Sequence, residues 1–165
     1  MEPAITIVRG SKEEKYRDLL PQIKALLDGE DDLAAALGNV TAALKLIFQD
    51  HSWVGFYFLK NIDRSNSQLI LGPFQGKPAC TRIKVGQGVC GKSVELKQTI
   101  IVPDVSKFPG HIYCDRDTKS EIVVPLLRGN EVLGVIDIDS SRLDAFDEVD
   151  RKFLEEIAAQ AVSSF

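Results

Sequence analysis

Three thiols and three acids are the groups of this 165-residue chain that could do chemistry. Cys114 lies in the stretch P-D-V-S-K-F-P-G-H-I-Y-C-D-R-D-T-K-S-E-I-V-V-P, from Pro103 to Pro125, and Glu121 follows it in the same stretch. Pro103, Pro109 and Gly110 break helix and strand alike, so the segment should be a loop outside the regular core. A loop of this length in a compact domain usually binds or covers something. A thiol there, with an acid a few residues on, points to nucleophilic or redox chemistry. Cys90 stands in G-Q-G-V-C-G at the start of a predicted short helix, Gly91 to Lys97. The partial positive charge of a helix N-terminus stabilises a thiolate, so Cys90 is a second candidate reactive thiol. Those glycines are not a phosphate loop, because no G-K-[ST] follows them.

Cys80 completes an odd set of three cysteines with no C-x-x-C pair. That pattern fits neither a secreted disulfide framework nor a zinc ribbon and favours a reducing, cytoplasmic setting. His111, in H-x-x-C with Cys114, could suggest a zinc ligand or a thiol-activating base, but His51 is the only other histidine. No metal site is expected, and His111 reads as a loop residue hydrogen-bonded to backbone.

The acids belong to a hairpin. Ile122, Val124 and Leu126 should share one face of its first strand and Glu121 and Val123 the other. In its second strand Gly134, Ile136 and Ile138 alternate with Val135, Asp137 and Asp139. A one-residue slip would set apolar side chains against acids, so burial selects the pairing that keeps like faces together. The expected pairing sets Glu121 across from Asp137, with an odd-length loop centred on Gly129. Three carboxylates on one face repel one another, and a cationic ligand would offset that repulsion.

The remaining elements must hold these groups in place. Ser11 and Glu14 form a capping box for a first helix, Lys12 to Leu27, with a kink or break expected at Pro21. Asp31 or Asp32 caps a second helix whose Leu33, Leu37, Val40, Leu44 and Ile47 make one apolar stripe. The period changes at W-V-G-F-Y-F-L-K, an aromatic and β-branched strand. Val54, Phe56 and Phe58 should face the helices. Trp53 and Tyr57 should face the other way, where their rings either line a pocket or simply pack. A polar hairpin loop, Asn61 to Ser67, leads to a return strand, Gln68 to Leu71, and further strands are expected at Thr81 to Val85 and Thr99 to Val102. Asp147 caps a last helix carrying Phe153, Leu154 and Ile157.

A hydrophobic content of 44% and a charged content of 27% suit a globular protein, and a net charge of -4 argues against nucleic acid as a partner. No apolar run is long enough for a membrane helix, and the opening M-E-P-A-I-T-I-V-R-G is not a signal peptide. The element order implies an α+β domain: one mainly antiparallel sheet with the N- and C-terminal helices on one face. No linker interrupts residues 1–165, divided as helices over 1–50, sheet and site loops over 51–146, and a closing helix over 147–165.

W-V-G-F-Y, L-G-P-F-Q-G-K-P-A-C, G-Q-G-V-C-G, F-P-G-H-I-Y-C-D, S-E-I-V-V-P and G-V-I-D-I-D-S occur in this order. Together they resemble the free methionine-(R)-sulfoxide reductases, a family of single GAF domains. The resemblance implies an oxidoreductase acting on free methionine sulfoxide through a cysteine sulfenic acid and an intramolecular disulfide, recycled by thioredoxin, with no cofactor. By position, Cys114 resembles the catalytic cysteine, with Cys90 as first resolving candidate and Cys80 as the alternative. Glu121 matches the acid at the sulfoxide oxygen. Asp137 and Asp139 match the carboxylates that hold the substrate ammonium, and Trp53 and Tyr57 match the wall around the methyl sulfoxide. A homodimer is also implied. The other reading is a non-catalytic GAF sensor of a small metabolite or of redox state, since many domains of this fold only bind.

Overall fold

The alternation along β1 (His51–Asp63) divides the molecule into a helix-covered face and a loop-covered face. The computed structural model describes residues 5, 6, 9–63 and 66–165. Arg64 and Ser65, at the tip of the first expected hairpin, and most of the opening segment lie outside them. Val54 and Phe56 are buried against α1 (Lys12–Leu27), α2 (Leu33–Ile47) and α4 (Glu148–Val162), together with Ile122, Val124, Ile136 and Ile138. Trp53 and Tyr57 are buried on the opposite face with Val123 and Val135, under α3 (Gly88–Leu96) and its flanking loops. The N- and C-terminal helices therefore share one face, as the strand pattern requires.

Six strands form one sheet in which every neighbouring pair is antiparallel. Its order is β3 (Arg82–Lys84), β2 (Asn66–Gln75), β1, β6 (Glu131–Ser140), β5 (Ser120–Arg128), β4 (Ile100–Val102). β2 runs past the expected stop at Leu71. A bulge between Gly55 and Tyr57 of β1 absorbs an extra β2 residue around Gly72 and Pro73, so the proline sits where the ladder is already broken. Helix α1 likewise continues through Pro21 without dividing. Pro21 and Arg17 are exposed, so water can satisfy the Arg17 carbonyl that loses its helical partner. The caps fall as expected at Ser11 and Asp147, and of the two candidates for α2 it is Asp32 that caps.

The site hairpin departs from the expected register. Its turn is two residues, Gly129 and Asn130, with Gly129 at φ 60°, a conformation glycine adopts without steric cost. A bulge at Leu133 adds a residue to β6. The combined result is a two-residue shift: Glu121 pairs with Asp139, and Asp137 pairs with Val123. An even shift preserves the face of every side chain, so all three acids still point to the loop-covered side.

Candidate active site

Rows across the sheet build the floor of the site. Glu121 of β5, Asp139 of β6 and Trp53 of β1 form one row, and Val123, Asp137 and Gly55 form the next. Gly55 has a steric role: a Cβ there would run into the Trp53 ring, which lies over it. The indole stacks on Phe74 at 5.4 Å, and Tyr57 follows on the same face. Both rings line a cavity, but their polar atoms serve the loop above. Trp53 Nε1 donates to the carbonyl of Lys77 at 3.0 Å, and the Tyr57 hydroxyl donates to the carbonyl of Cys80 at 2.9 Å. Two rigid strand residues thus fix the loop that carries Cys80.

That cavity is also lined by Cys90, Cys114, Glu121, Asp137 and Asp139. Of the sequence-predicted site residues, Cys80 alone is not on its wall; it is joined to the site through a disulfide to Cys114. The bond links loops 34 residues apart in sequence, and the Cys114 end is exposed. The space left for a guest is about 30 Å³, room for about two water molecules.

Cys90 is a free, buried thiol. α3 begins at Gly88, so Cys90 lies in the first turn rather than ahead of the helix. The expected lowering of its pKa does not occur. Burial pushes the thiol well up, and the neighbouring Asp137 and Glu121 charges push it the same way. The helix dipole is outweighed by desolvation and two acids.

The acids are held toward their protonated forms. Burial raises Glu121 well above its ordinary value, and its cross-strand neighbour Asp139 adds to the effect. Asp137 is raised by burial and then by Glu121, and Asp139 by burial and then by Asp137. One oxygen of Asp137, Oδ1, is buried without a hydrogen-bond partner among the described residues. Such an atom costs free energy until a donor reaches it.

His111 is a side chain on the cavity wall whose place the sequence did not reveal. Its ring bonds not to backbone but to Glu121, Nε2 to Oε2 at 2.8 Å, with both side chains nearly inaccessible to solvent. Burial depresses the imidazole pKa while it raises that of Glu121, so both partners are biased toward their neutral forms. The H-x-x-C spacing drew attention to this histidine, but only the folded loop brings it to Glu121. One donor atom each from Cys90, Glu121 and Asp137 lie within 4.8 Å of one another. A metal ion there would have to displace protons that burial retains, whereas an ammonium ligand would donate its N–H groups to the carboxyl oxygens.

The GAF domain profile matches residues 30–164. A Saccharomyces cerevisiae protein named free methionine-R-sulfoxide reductase is 46% identical over 153 residues, covering 90% of this chain and 84% of that one. An Escherichia coli protein of the same name is 44% identical over 150 residues, covering 91% and 88%. This chain belongs to the free methionine-R-sulfoxide reductase family. The solved structure of the Neisseria meningitidis free methionine-R-sulfoxide reductase in complex with its substrate matches with a TM-score of 0.93 at 41% identity, covering 99% of this chain and 96% of that one. The free methionine-R-sulfoxide reductase likeness thus includes α1, which precedes the matched GAF span.

Proposed function

We propose that this chain reduces free L-methionine-(R)-sulfoxide to L-methionine, with Cys114 as nucleophile, Glu121 as general acid and Cys80 as resolving thiol. The observation that carries the reading is the convergence of Cys114 with a buried, His111-bonded Glu121 on one small cavity, with Cys80 bonded to Cys114 behind it. The Cys114 thiolate attacks the sulfoxide sulfur, and Glu121 delivers its proton to the oxygen. The hydroxyl passes from the substrate sulfur to Cys114 Sγ as the S–O bond and the transient S–S bond between Cys114 and substrate break, so methionine leaves and Cys114 is oxidised to a sulfenic acid. The Cys80 sulfur then attacks Cys114 Sγ, a disulfide forms and water departs. A dithiol such as thioredoxin returns both cysteines to thiols by exchange, and the exposure of Cys114 supports direct access. Cys90 ranks below Cys80 as resolving thiol, because its raised pKa leaves little thiolate.

The unpartnered Asp137 oxygen, beside Asp139, supports recognition of the substrate α-ammonium. Trp53 and Tyr57 supply the apolar wall for the methyl sulfoxide. The free space of about 30 Å³ beside Cys114 is too small for methionine sulfoxide, so the Cys114 loop moves in the reduced protein to admit substrate. We place all 165 residues in one working unit, since α1 packs on α4 through the Tyr16 ring stacked on Phe153 at 5.2 Å. A homodimer and a cytoplasmic setting complete the proposal; no helix among the described residues is long and apolar enough to cross a membrane.

The test is turnover of the purified chain with each epimer of free methionine sulfoxide and with the N-acetylated R epimer, using thioredoxin or dithiothreitol. The free R epimer should be reduced and the acetylated form strongly disfavoured. No turnover of the free R epimer refutes the function, and equal turnover of the acetylated form refutes the ammonium site.

A further inference from the structure

Lys77 lies on the loop that carries Cys80 and reaches across to the loop that carries Cys114. Its ammonium is 3.0 Å from Oδ2 of Asp115 and 2.7 Å from Oδ2 of Asp117. Asp115 is the chain neighbour of Cys114, and Lys77 precedes Cys80 by one short turn of loop. The Asp117 N–H donates to Asp115 Oδ1 at 3.0 Å, a turn that presents both carboxylates to one cation. On the other side, the carbonyl of Lys77 is tied to Trp53 on β1. A continuous path therefore runs from the rigid sheet, through Lys77, to the Cys114 loop, and it does not pass through the disulfide.

We propose that Lys77 is a positioning residue for the disulfide-forming step. This rests on the thiol roles given above. In that step Cys80 must reach the sulfenic acid on Cys114, the S–S bond forms, and the hydroxyl leaves as water with the proton of the Cys80 thiol. Once the S–S bond is reduced, nothing covalent holds the two loops together, and bringing them back costs loop-closure entropy. A non-covalent tether beside both sulfurs raises their effective concentration for each other. The tether must also release, because substrate has to enter under the Cys114 loop. Exposed ion pairs suit that demand: the Lys77 side chain is 61% accessible, and such pairs are individually weak and screened by salt. A buried pair would hold the loop shut.

The experiment is a single turnover of the reduced protein with free methionine-(R)-sulfoxide in a fixed concentration of dimedone. Methionine release reports the first step. The ratio of dimedone adduct to Cys80–Cys114 disulfide, read by intact mass, reports how fast Cys80 competes for the sulfenic acid. Lys77→Met should raise that ratio roughly two- to tenfold, the range expected for losing exposed ion pairs. Lys77→Arg should restore it, and Asp117→Asn should raise it in the same direction. Raising the salt from 0.1 M to 1 M shortens the screening length from about 10 Å to about 3 Å and should raise the ratio in the parent but not in Lys77→Met. An unchanged ratio in Lys77→Met, or the same salt response in parent and variant, overturns the tether. Failure of the parent to release methionine would instead count against the reaction itself.

Discussion

Glu121→Gln separates the chemical role of this carboxyl from its structural one. Gln keeps the shape and can still bond His111 at the 2.8 Å contact, but it has no acidic proton to give. A positioned general acid is worth about 10²–10⁴-fold in rate, or about 3–5.5 kcal/mol, and the variant should lose methionine formation by that factor. The parent should lose activity as pH rises through the raised pKa of Glu121, because the proton donor disappears; the variant should lack that limb. Stability should move the opposite way. A carboxyl whose folded pKa is raised binds more protons folded than unfolded, so the parent loses stability as pH climbs from the ordinary carboxyl value to the folded one. The loss is about 1.4 kcal/mol for each pH unit of that interval, and it persists above it. Gln never ionises and escapes this loss. At alkaline pH the variant should therefore melt above the parent by roughly 3–6 °C for each pH unit separating the folded from the unfolded pKa, and the gap should close near pH 4. Single-turnover methionine release checks the first claim and thermal melts at pH 4 and pH 9 the second. Parent-like methionine release would refute the acid role, and an equal melting temperature at pH 9 would refute the buried, proton-retaining environment.

The thiol roles predict distinct behaviour for the three cysteines. In a single turnover without reductant, Cys90→Ser and Cys80→Ser should each release about one equivalent of methionine, Cys114→Ser none, and only Cys90→Ser should retain the Cys80–Cys114 disulfide; release by Cys114→Ser would move the nucleophile elsewhere. Trp53→Phe keeps a ring against Phe74 but removes the donor to the Lys77 carbonyl, a loss of about 0.5–1.5 kcal/mol. It should lower the melting temperature by a few degrees and speed amide exchange over residues 77–80, and unchanged exchange there would contradict the anchoring role.

By itself the sequence determined which residues share a face. Period-two alternation is a local property, so Val54 and Phe56 could be sent to the helices, and Trp53 and Tyr57 to the opposite face of their strand, before any contact was known; whether those rings line a pocket or simply pack was not legible. Caps at Ser11 and Asp147 were equally legible, and the second helix cap was narrowed to Asp31 or Asp32, because each depends on side chains within one turn of its helix. Register was not. Keeping like faces together allows any even shift, and the choice of Asp139 over Asp137 as the partner of Glu121 came from a two-residue turn and the bulge at Leu133. The electrostatics were set by tertiary burial. The local helix terminus alone would lower the pKa of Cys90, but burial and then the acids of β5 and β6 raise it, and the sequence does not say that these strands lie beneath it. The meeting of Cys80 with Cys114, and of His111 with Glu121, depends on where separate loops are delivered over the same sheet. Spacing along a chain carries the chemistry of each residue; distance between loops is decided only when the sheet and its strand order place them together.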